Sequence, residues 1–455
     1  MSVGMEKSPA QKAKNFPLYR SLPRLVRDPL QEIERIATVA GGQIFRLDFG
    51  VFRPYVVTHP DDVQYVLKDN PEGFLRDGTF WRPLHRLFGE GIMSQGERWA
   101  LSRKVLQPTL TRRHIASMAD QMAAIVNDAV EALAEPARSG RPIDVRAELD
   151  SLVNTTVLRT FFGNKISMEQ NILLAPAFEK IAVAIGLRFL MPFLPHAVPV
   201  PGDRAFHEAV RTIDEVLFPL IRENRGRPAD DLDFFGVLCG ATEIDGSAVG
   251  DQWIRDNLVS MFATATETTA GALTWLWPLL DTHLEVAERL YEEIDRVVGR
   301  GPVNATHGRD LTYTRQVIQE VLRLYPVGWL FPRQLVAPLT IGGVKIKGGE
   351  TVLVSPYLTH RLTEFWDRPL EFDPDRFAGG HKAGERRHRY SYFPFGGGPH
   401  KCIGEHVFNA EAELMIASIL SRFRPVYTTS ISERPKIGAT LRPRENLQIT
   451  LRPVA

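Results

Sequence analysis

The sequence predicts a mainly α-helical protein with a small β-rich region built from both ends of the chain. Two observations predict it. Apolar residues recur at three- and four-residue steps through most of residues 60–327, the spacing of helices that each bury one face. Period-two alternation is confined to the flanks: at 43–50, where Phe45, Leu47 and Phe49 alternate, at Tyr55–Val57, and at 339–346, 351–355 and 447–451. No internal repeat is present. The only linker-like piece is the polar, basic stretch 379–389, so residues 28–455 read as one large domain and residues 1–27 as an N-terminal extension.

Bulk composition narrows the function. The chain has 455 residues, 44% hydrophobic and 24% charged, with a net charge of +1. These are ordinary globular values, and the balance of charge argues against a nucleic-acid partner. Two cysteines, Cys239 and Cys402, make no disulfide framework, and free thiols suit a reducing compartment. Cys239, in Gly-Val-Leu-Cys-Gly, reads as a small buried hydrophobe. Residues 1–27 are interrupted by Glu6, Lys7, Lys12, Lys14, Arg20, Arg24 and Arg27. No apolar run there approaches the roughly 20 residues that span a bilayer. No membrane anchor is expected, and the expected location is the cytoplasm.

The elements follow in order. Asp28-Pro29 is a helix start, with an acidic N-cap and proline at the first helical position; Leu30, Ile33 and Ile36 mark one face, and Gly41-Gly42 ends it. Trp99 and Arg103 are one helical turn apart and share a face. Residues 178–201 are unusually apolar, through Ile181, Ile185, Leu187, Phe189, Leu190, Met191, Phe193 and Leu194. A long helix is expected over 251–280, with Leu258, Met261, Ala265, Thr268, Ala272 and Leu276 on one face. Glu320 and Arg323 are three residues apart in a further helical pattern.

The most informative stretch is Phe395-Gly-Gly-Gly398-Pro-His-Lys-Cys402-Ile-Gly404. A cysteine thiolate that donates to an iron needs a loop folding back on itself, so that backbone N–H groups point at the anionic sulfur. Glycines at 396–398 and 404 permit the positive φ and close backbone approach that such a loop requires. Phe395 can keep water from the sulfur, and the N–H bonds tune the iron's potential.

This loop resembles the cysteine-ligand loop of the cytochrome P450 family, the haem-thiolate monooxygenases, and the similarity runs from about residue 29 to residue 453. The resemblance, not the periodicity, supplies the topology: a cytochrome P450 fold. It implies haem b as cofactor and Cys402 as the iron ligand. Thr264-Ala-Thr-Glu267-Thr268-Thr269, about 130 residues before Cys402, is similar to the family's oxygen-activation motif. Dioxygen must receive two electrons and two protons before its O–O bond breaks; Thr268 fits the hydroxyl that holds it, and Glu267 the carboxylate that relays protons through water. Polar side chains on a helix also bond back to the preceding turn. Where the family usually has glycine, this chain has Ala265, which narrows the site by a methyl group.

The resemblance carries further residues. Trp99, Arg103, Arg333 and His400 match positions that hold the haem propionates; His400 stands where arginine is more usual, so its donor strength depends on protonation. Glu320, Arg323 and Arg376, the last in Asp373-Pro-Asp-Arg376-Phe377, match a buried structural triad in which every charge must be paired. Substrate contacts are implied for Phe80, Trp81, Leu84, Thr264, Val327, Gly328, Trp329, Leu330 and Ala439. The apolar stretch 178–201 would roof the substrate channel, which suits a lipophilic ligand. Around Gly438-Ala-Thr-Leu-Arg-Pro443 the chain is similar to terpene-hydroxylating bacterial members, which points to a terpenoid or other natural-product intermediate.

The expected activity is insertion of one oxygen atom from O2 into such a molecule. No flavin or nicotinamide fingerprint is present, so electrons are expected from a separate ferredoxin and ferredoxin reductase. The basic residues of 381–389, with Lys401, Lys104, Arg112 and Arg113, would suit an acidic ferredoxin. The alternatives are a haem-thiolate enzyme that uses peroxide or performs a rearrangement without a reductase, and a non-catalytic haem sensor or carrier.

Overall fold

The computed structural model describes residues 12–50, 52–163, 165–190, 198–227, 234–379, 387–427 and 434–454. They form two compact units. One comprises Met1–Trp81, Arg323–Glu371 and His381–Cys402; the other comprises Arg82–Leu322, Phe372–Gly380 and Ile403–Ala455.

The first unit is organised by a six-stranded sheet. Its strands, in spatial order, are Lys14–Pro17, Phe45–Asp48, Tyr55–Val57, Thr351–Val354, Phe331–Leu335 and Phe74–Leu75. Residues within the first 27 therefore contribute an edge strand, parallel to Phe45–Asp48. The helix Pro29–Ala40 is capped as its sequence requires: the Asp28 carboxylate accepts from the Gln31 amide at 3.1 Å, and Gly41 ends it at φ 60°. Val57, Val352, Val354 and Phe393 pack in the core beside the sheet, each such side chain contributing about 1.5–3 kcal/mol by leaving water. The expected strand at 339–346 is a hairpin instead. Leu339–Ile341 turns through Gly342 and Gly343, both at positive φ, onto Val344–Ile346.

The second unit is helical. Its longest element, Asp251–Thr282, has 32 residues, within two residues of the expected end. The helix is buried from Trp253 to Phe262 and again from Thr269 to Leu280, but residues 263–268 between them are half-buried. That interruption coincides with Thr264–Thr268, the polar segment. The C-terminal strand Gln448–Pro453 pairs with Phe423–Tyr427 and Ile143–Asp144, making a separate three-stranded sheet in this unit. Two-residue strands such as Ile143–Asp144 and Phe74–Leu75 carry no readable periodicity. The helix Met168–Leu190 covers the first part of the apolar stretch; Met191, Phe193 and Leu194 lie outside the described residues.

Candidate active site

The cysteine loop belongs to the sheet unit. The Cys402 amide donates to Phe395 O at 2.8 Å, closing the loop on itself, and the Cys402 side chain is exposed. Gly396 and Gly398 have φ of 72° and 65°. A Cβ on Gly398 would lie 1.7 Å from Leu67 O, and one on Gly397 would lie 2.4 Å from the Tyr390 ring. Neither position tolerates any other residue without displacing its neighbour. Phe331, from the sheet, lies against Gly396 and the Phe393 ring.

A histidine that sequence reasoning missed braces this loop. His360 is fully buried; its Nε2 accepts from the Phe393 amide at 2.9 Å and its Nδ1 lies 3.1 Å from Arg323 O. Those partners fix the neutral tautomer with the proton on Nδ1, and burial holds its pKa well below the usual 6.5. Arg323 organises the same region. It donates to His360 O, Pro369 O and Glu371 O at 2.7–3.0 Å, and lies over the Trp366 ring.

Glu320 and Arg376, the other members of the expected triad, meet within the helical unit. Arg376 Nε donates to Glu320 Oε1 at 3.3 Å, and the Asp373 amide donates to the same oxygen at 3.0 Å. Glu320 and Arg323 are completely buried.

Among the expected propionate contacts, Arg333 is the clearest test of whether the residues suit haem. It is 7% exposed, and among the described residues Nη1 donates only to the carbonyl of its own neighbour, Pro332, at 2.8 Å. Burial alone pulls its pKa down to about 10. A buried guanidinium satisfied by one neutral carbonyl is costly, and among the described residues no carboxylate is seen to pair with it, so an anionic carboxylate would suit it. The residues fit a haem propionate. Trp99 and Arg103 share the helix Gly96–Leu106, where Arg103 Nε donates to Gln107 at 2.9 Å. His400 lies in the one-turn helix of the cysteine loop, Gly398–His400.

On the long helix the three hydroxyls of the polar segment bond back one turn. Thr264, Thr266 and Thr268 donate to Ser260 O, Phe262 O and Thr264 O at 2.6, 3.0 and 2.5 Å. Each oxygen keeps its lone pairs to accept a further donor. Glu267 is placed differently from its neighbour. Its Oε2 accepts from Arg146 at 3.0 Å; its Oε1 accepts from Thr440 at 2.7 Å and from Arg442 at 2.5 and 3.0 Å. Arg146 carried no signal in the sequence, and the segment 438–443 gave no sign that Thr440 and Arg442 would meet Glu267, because these partners lie 121–175 positions away.

The expected substrate residues divide. Thr264 is half-buried on the long helix, and Leu84 is half-buried on Arg82–Phe88. Val327 and Trp329 are buried just before the strand Phe331–Leu335, with Gly328 and Leu330 half-buried between and beyond them; Trp329 O accepts from Ser355 at 2.9 Å. Phe80 packs edge-on against Phe52. Trp81 is 7% exposed, and its Nε1 donates to Pro332 O at 3.0 Å, which sets it beside Arg333. Ala439 is exposed in the turn before Thr440. Of the basic patch, residues 381–386 lie outside the described residues. Arg387 lies over Trp366, with the guanidinium 4.2 Å from the ring centroid, while Arg389, Lys104, Arg112 and Arg113 are exposed.

Comparison with known proteins identifies the family. The model of the cytochrome P450 family matches residues 11–451. The chain belongs to the cytochrome P450 family: it is a haem-binding monooxygenase and an oxidoreductase. Pentalenene oxygenase of Streptomyces avermitilis is 30% identical over 432 residues, covering 94% of each chain. Cyclooctat-9-en-7-ol 5-monooxygenase of Streptomyces melanosporofaciens is 32% identical, over 94% of this chain and 90% of the relative. The crystal structure of the cytochrome P450DA haem domain superposes with a TM-score of 0.84 at 21% identity, covering 98% of this chain and 99% of that one, a likeness of fold. No helix among the described residues is long and apolar enough to cross a membrane.

Proposed function

We propose that this protein inserts one oxygen atom from O2 into a terpenoid or related natural-product intermediate, with electrons from a separate ferredoxin and its reductase. The observation that carries the reading is the Cys402 loop. It is closed by the hydrogen bond from the Cys402 N–H to Phe395 O and built on Gly397 and Gly398, which admit no side chain without displacing a neighbour. The terpenoid preference rests on the names of the bacterial relatives and on the tail segment 438–443. The cytoplasm, where free thiols stay reduced, is the proposed location.

Haem b bound here would activate O2, with thiolate donation favouring O–O cleavage. Cys402 would supply the thiolate, and Arg333, with Trp99, Arg103 and His400, would hold the propionates. The Thr268 hydroxyl would position dioxygen and pass on a proton from Oγ1, replenished from Glu267 through water. Glu320, Arg323 and Arg376 would hold the fold rather than touch the chemistry. The apolar side chains Phe80, Trp81, Leu84, Val327, Trp329 and Leu330, with Thr264, Gly328 and Ala439, would shape the lipophilic site and exclude water. Arg389 and Lys401 would meet the ferredoxin, chiefly raising its rate of association.

The test is product formation from pentalenene with NADPH, a bacterial ferredoxin and its reductase. Product that requires both O2 and the redox proteins is the expected result. Product formed only with added hydrogen peroxide, or in the absence of any oxidant, would replace this reading with the peroxide-using or rearranging enzyme. Haem binding without product from any of a panel of cyclic terpenes would favour a sensor or carrier.

A further inference from the structure

One corner of the sheet unit turns large apolar side chains toward water. After the edge strand Lys14–Pro17 the chain runs helically over residues 18–27. Leu18 is buried and Ser21 and Leu25 are half-buried, so these three make the inner side of the run. Tyr19, Leu22 and Val26 are 68%, 57% and 78% exposed. They stand three and four residues apart, which on a helix makes one stripe. Phe49, 51% exposed, emerges at the same corner, because Asp48 pairs with Pro17 where the two strands end. Single exposed apolar residues are ordinary on a protein surface, whereas a contiguous group marks a contact.

The charge at this corner is one-sided. Lys12, Lys14, Arg20, Arg24 and Arg27 are basic and no acidic residue lies between 12 and 27, in a chain whose net charge is only +1. Arg20, Arg24 and Arg27 are exposed and stand four and three residues apart, forming a second stripe beside the apolar one. The acidic groups close by are engaged. Glu32 accepts from Arg35 at 2.7 and 2.8 Å, with Arg24 at 3.9 Å; Asp48 pairs with Arg53 at 3.0 Å; Asp28 caps the helix Pro29–Ala40.

The two stripes together select the occupant. A second copy of this chain, docked symmetrically, would bring the same arginines against these. An acidic protein surface would answer the arginines but not the apolar stripe. An anionic bilayer answers both: apolar side chains enter the boundary between headgroups and acyl chains, while arginines stay at the lipid phosphates. Tyr19 suits that boundary, with an apolar ring and a hydroxyl that stays wet.

We propose that residues 18–27, with Phe49, form a reversible docking surface for an anionic lipid bilayer. The run is far shorter than the roughly 20 residues that span a bilayer, so the protein would lie on the surface. A bilayer is also where a lipophilic substrate of the kind proposed above accumulates, although the binding itself does not depend on that reading.

The test is sedimentation of the purified full chain with vesicles of phosphatidylcholine alone, or of phosphatidylcholine and phosphatidylglycerol in equal parts, at low and high salt. The parent should partition onto the anionic vesicles at low salt and be released as salt screens the arginines. Arg20→Gln, Arg24→Gln and Arg27→Gln combined should weaken partitioning about hundredfold. Tyr19→Ser, Leu22→Ser and Val26→Ser combined should weaken it at least about tenfold, with a urea midpoint near the parental value because these side chains are already exposed. A parent that stays in the supernatant would overturn the proposal. So would parental binding by the serine variant, which would leave only diffuse attraction between charges. A dimer seen by analytical ultracentrifugation and lost in the serine variant would assign the stripe to a second copy and overturn it equally. Binding is scored as protein sedimented, so it stands or fails independently of the oxygenase reading.

Discussion

Thr440 Oγ1 donates to Glu267 Oε1 at 2.7 Å, tying the C-terminal turn to the helix that carries Thr268. Arg442 reinforces the tie on the same oxygen, and Trp275, two turns further along the helix, donates to Leu441 O at 3.3 Å. The carboxylate proposed to relay protons is therefore also the anchor of the turn that holds Ala439. Glu267→Gln keeps the shape but gives up its ionic bonds to Arg146 and Arg442. Amide hydrogen exchange at residues 440–442 should then accelerate about tenfold, the effect of losing charge-assisted bonds. Thr440→Val should accelerate the same amides while leaving product per NADPH near the parental value. Unchanged exchange in both variants would show that the tie does not hold the turn.

Thr268 and Glu267 are adjacent, yet only Thr268 is free of ionic partners among the described residues, its hydroxyl engaged just with Thr264 O. Thr268→Ala is expected to bind haem normally while product per NADPH falls severalfold and hydrogen peroxide released rises in proportion. Retained coupling would contradict the proton-delivery role.

His360 makes the cysteine loop sensitive to acid. Its folded pKa is depressed well below 6.5 by burial. Below that ordinary value the unfolded chain takes up a proton that the folded state refuses, so the contribution is present above about pH 6.5 and is lost as the pH falls. Urea midpoints measured from pH 7.5 to 5 should decline for the parent and follow a flatter course in His360→Gln. The variant should be less stable at pH 7.5 by about 1–3 kcal/mol, because the Phe393 amide loses its acceptor.

Glu411 behaves in the opposite sense. It is buried on the helix Glu405–Arg422, bonded to Thr156, and burial raises its pKa to about 7. The Thr156 hydroxyl donates to Glu411 Oε1 and also lies 3.0 Å from Val153 O; its bond to the carboxyl opposes the effect of burial without cancelling it. The folded state keeps a proton that the unfolded chain releases above its ordinary 4.5, so stability falls as the pH rises from there to about 7. Glu411→Gln keeps an oxygen that accepts from Thr156 without the ionisation. It should gain up to about 3 kcal/mol over the parent above pH 7 and little near pH 5; equal stability at pH 8 would refute the buried neutral acid.

Legibility in the sequence tracks how local each cause is. The long helix, the Asp28 cap and the Cys402 loop were legible because their determinants lie within a few residues: a 3.6-residue stripe, a cap three residues from its amide, glycines set by one turn. Glu320 and Arg376 were placed by motif, and they meet. His360 and Arg146 left no local trace, since each is defined by a partner brought near by tertiary packing. The Gly342-Gly343 turn was readable in principle, but the alternation on either side of it masked the hairpin.

The most direct test of the account is the absorption spectrum of the reduced, CO-bound protein, parent against Cys402→Ser. A thiolate donor shifts the Soret band strongly to the red, so the parent should show that band and Cys402→Ser should lack it while remaining folded by circular dichroism. The same red-shifted band in both proteins would show that Cys402 is not the iron ligand, and the haem-thiolate assignment would fail with it.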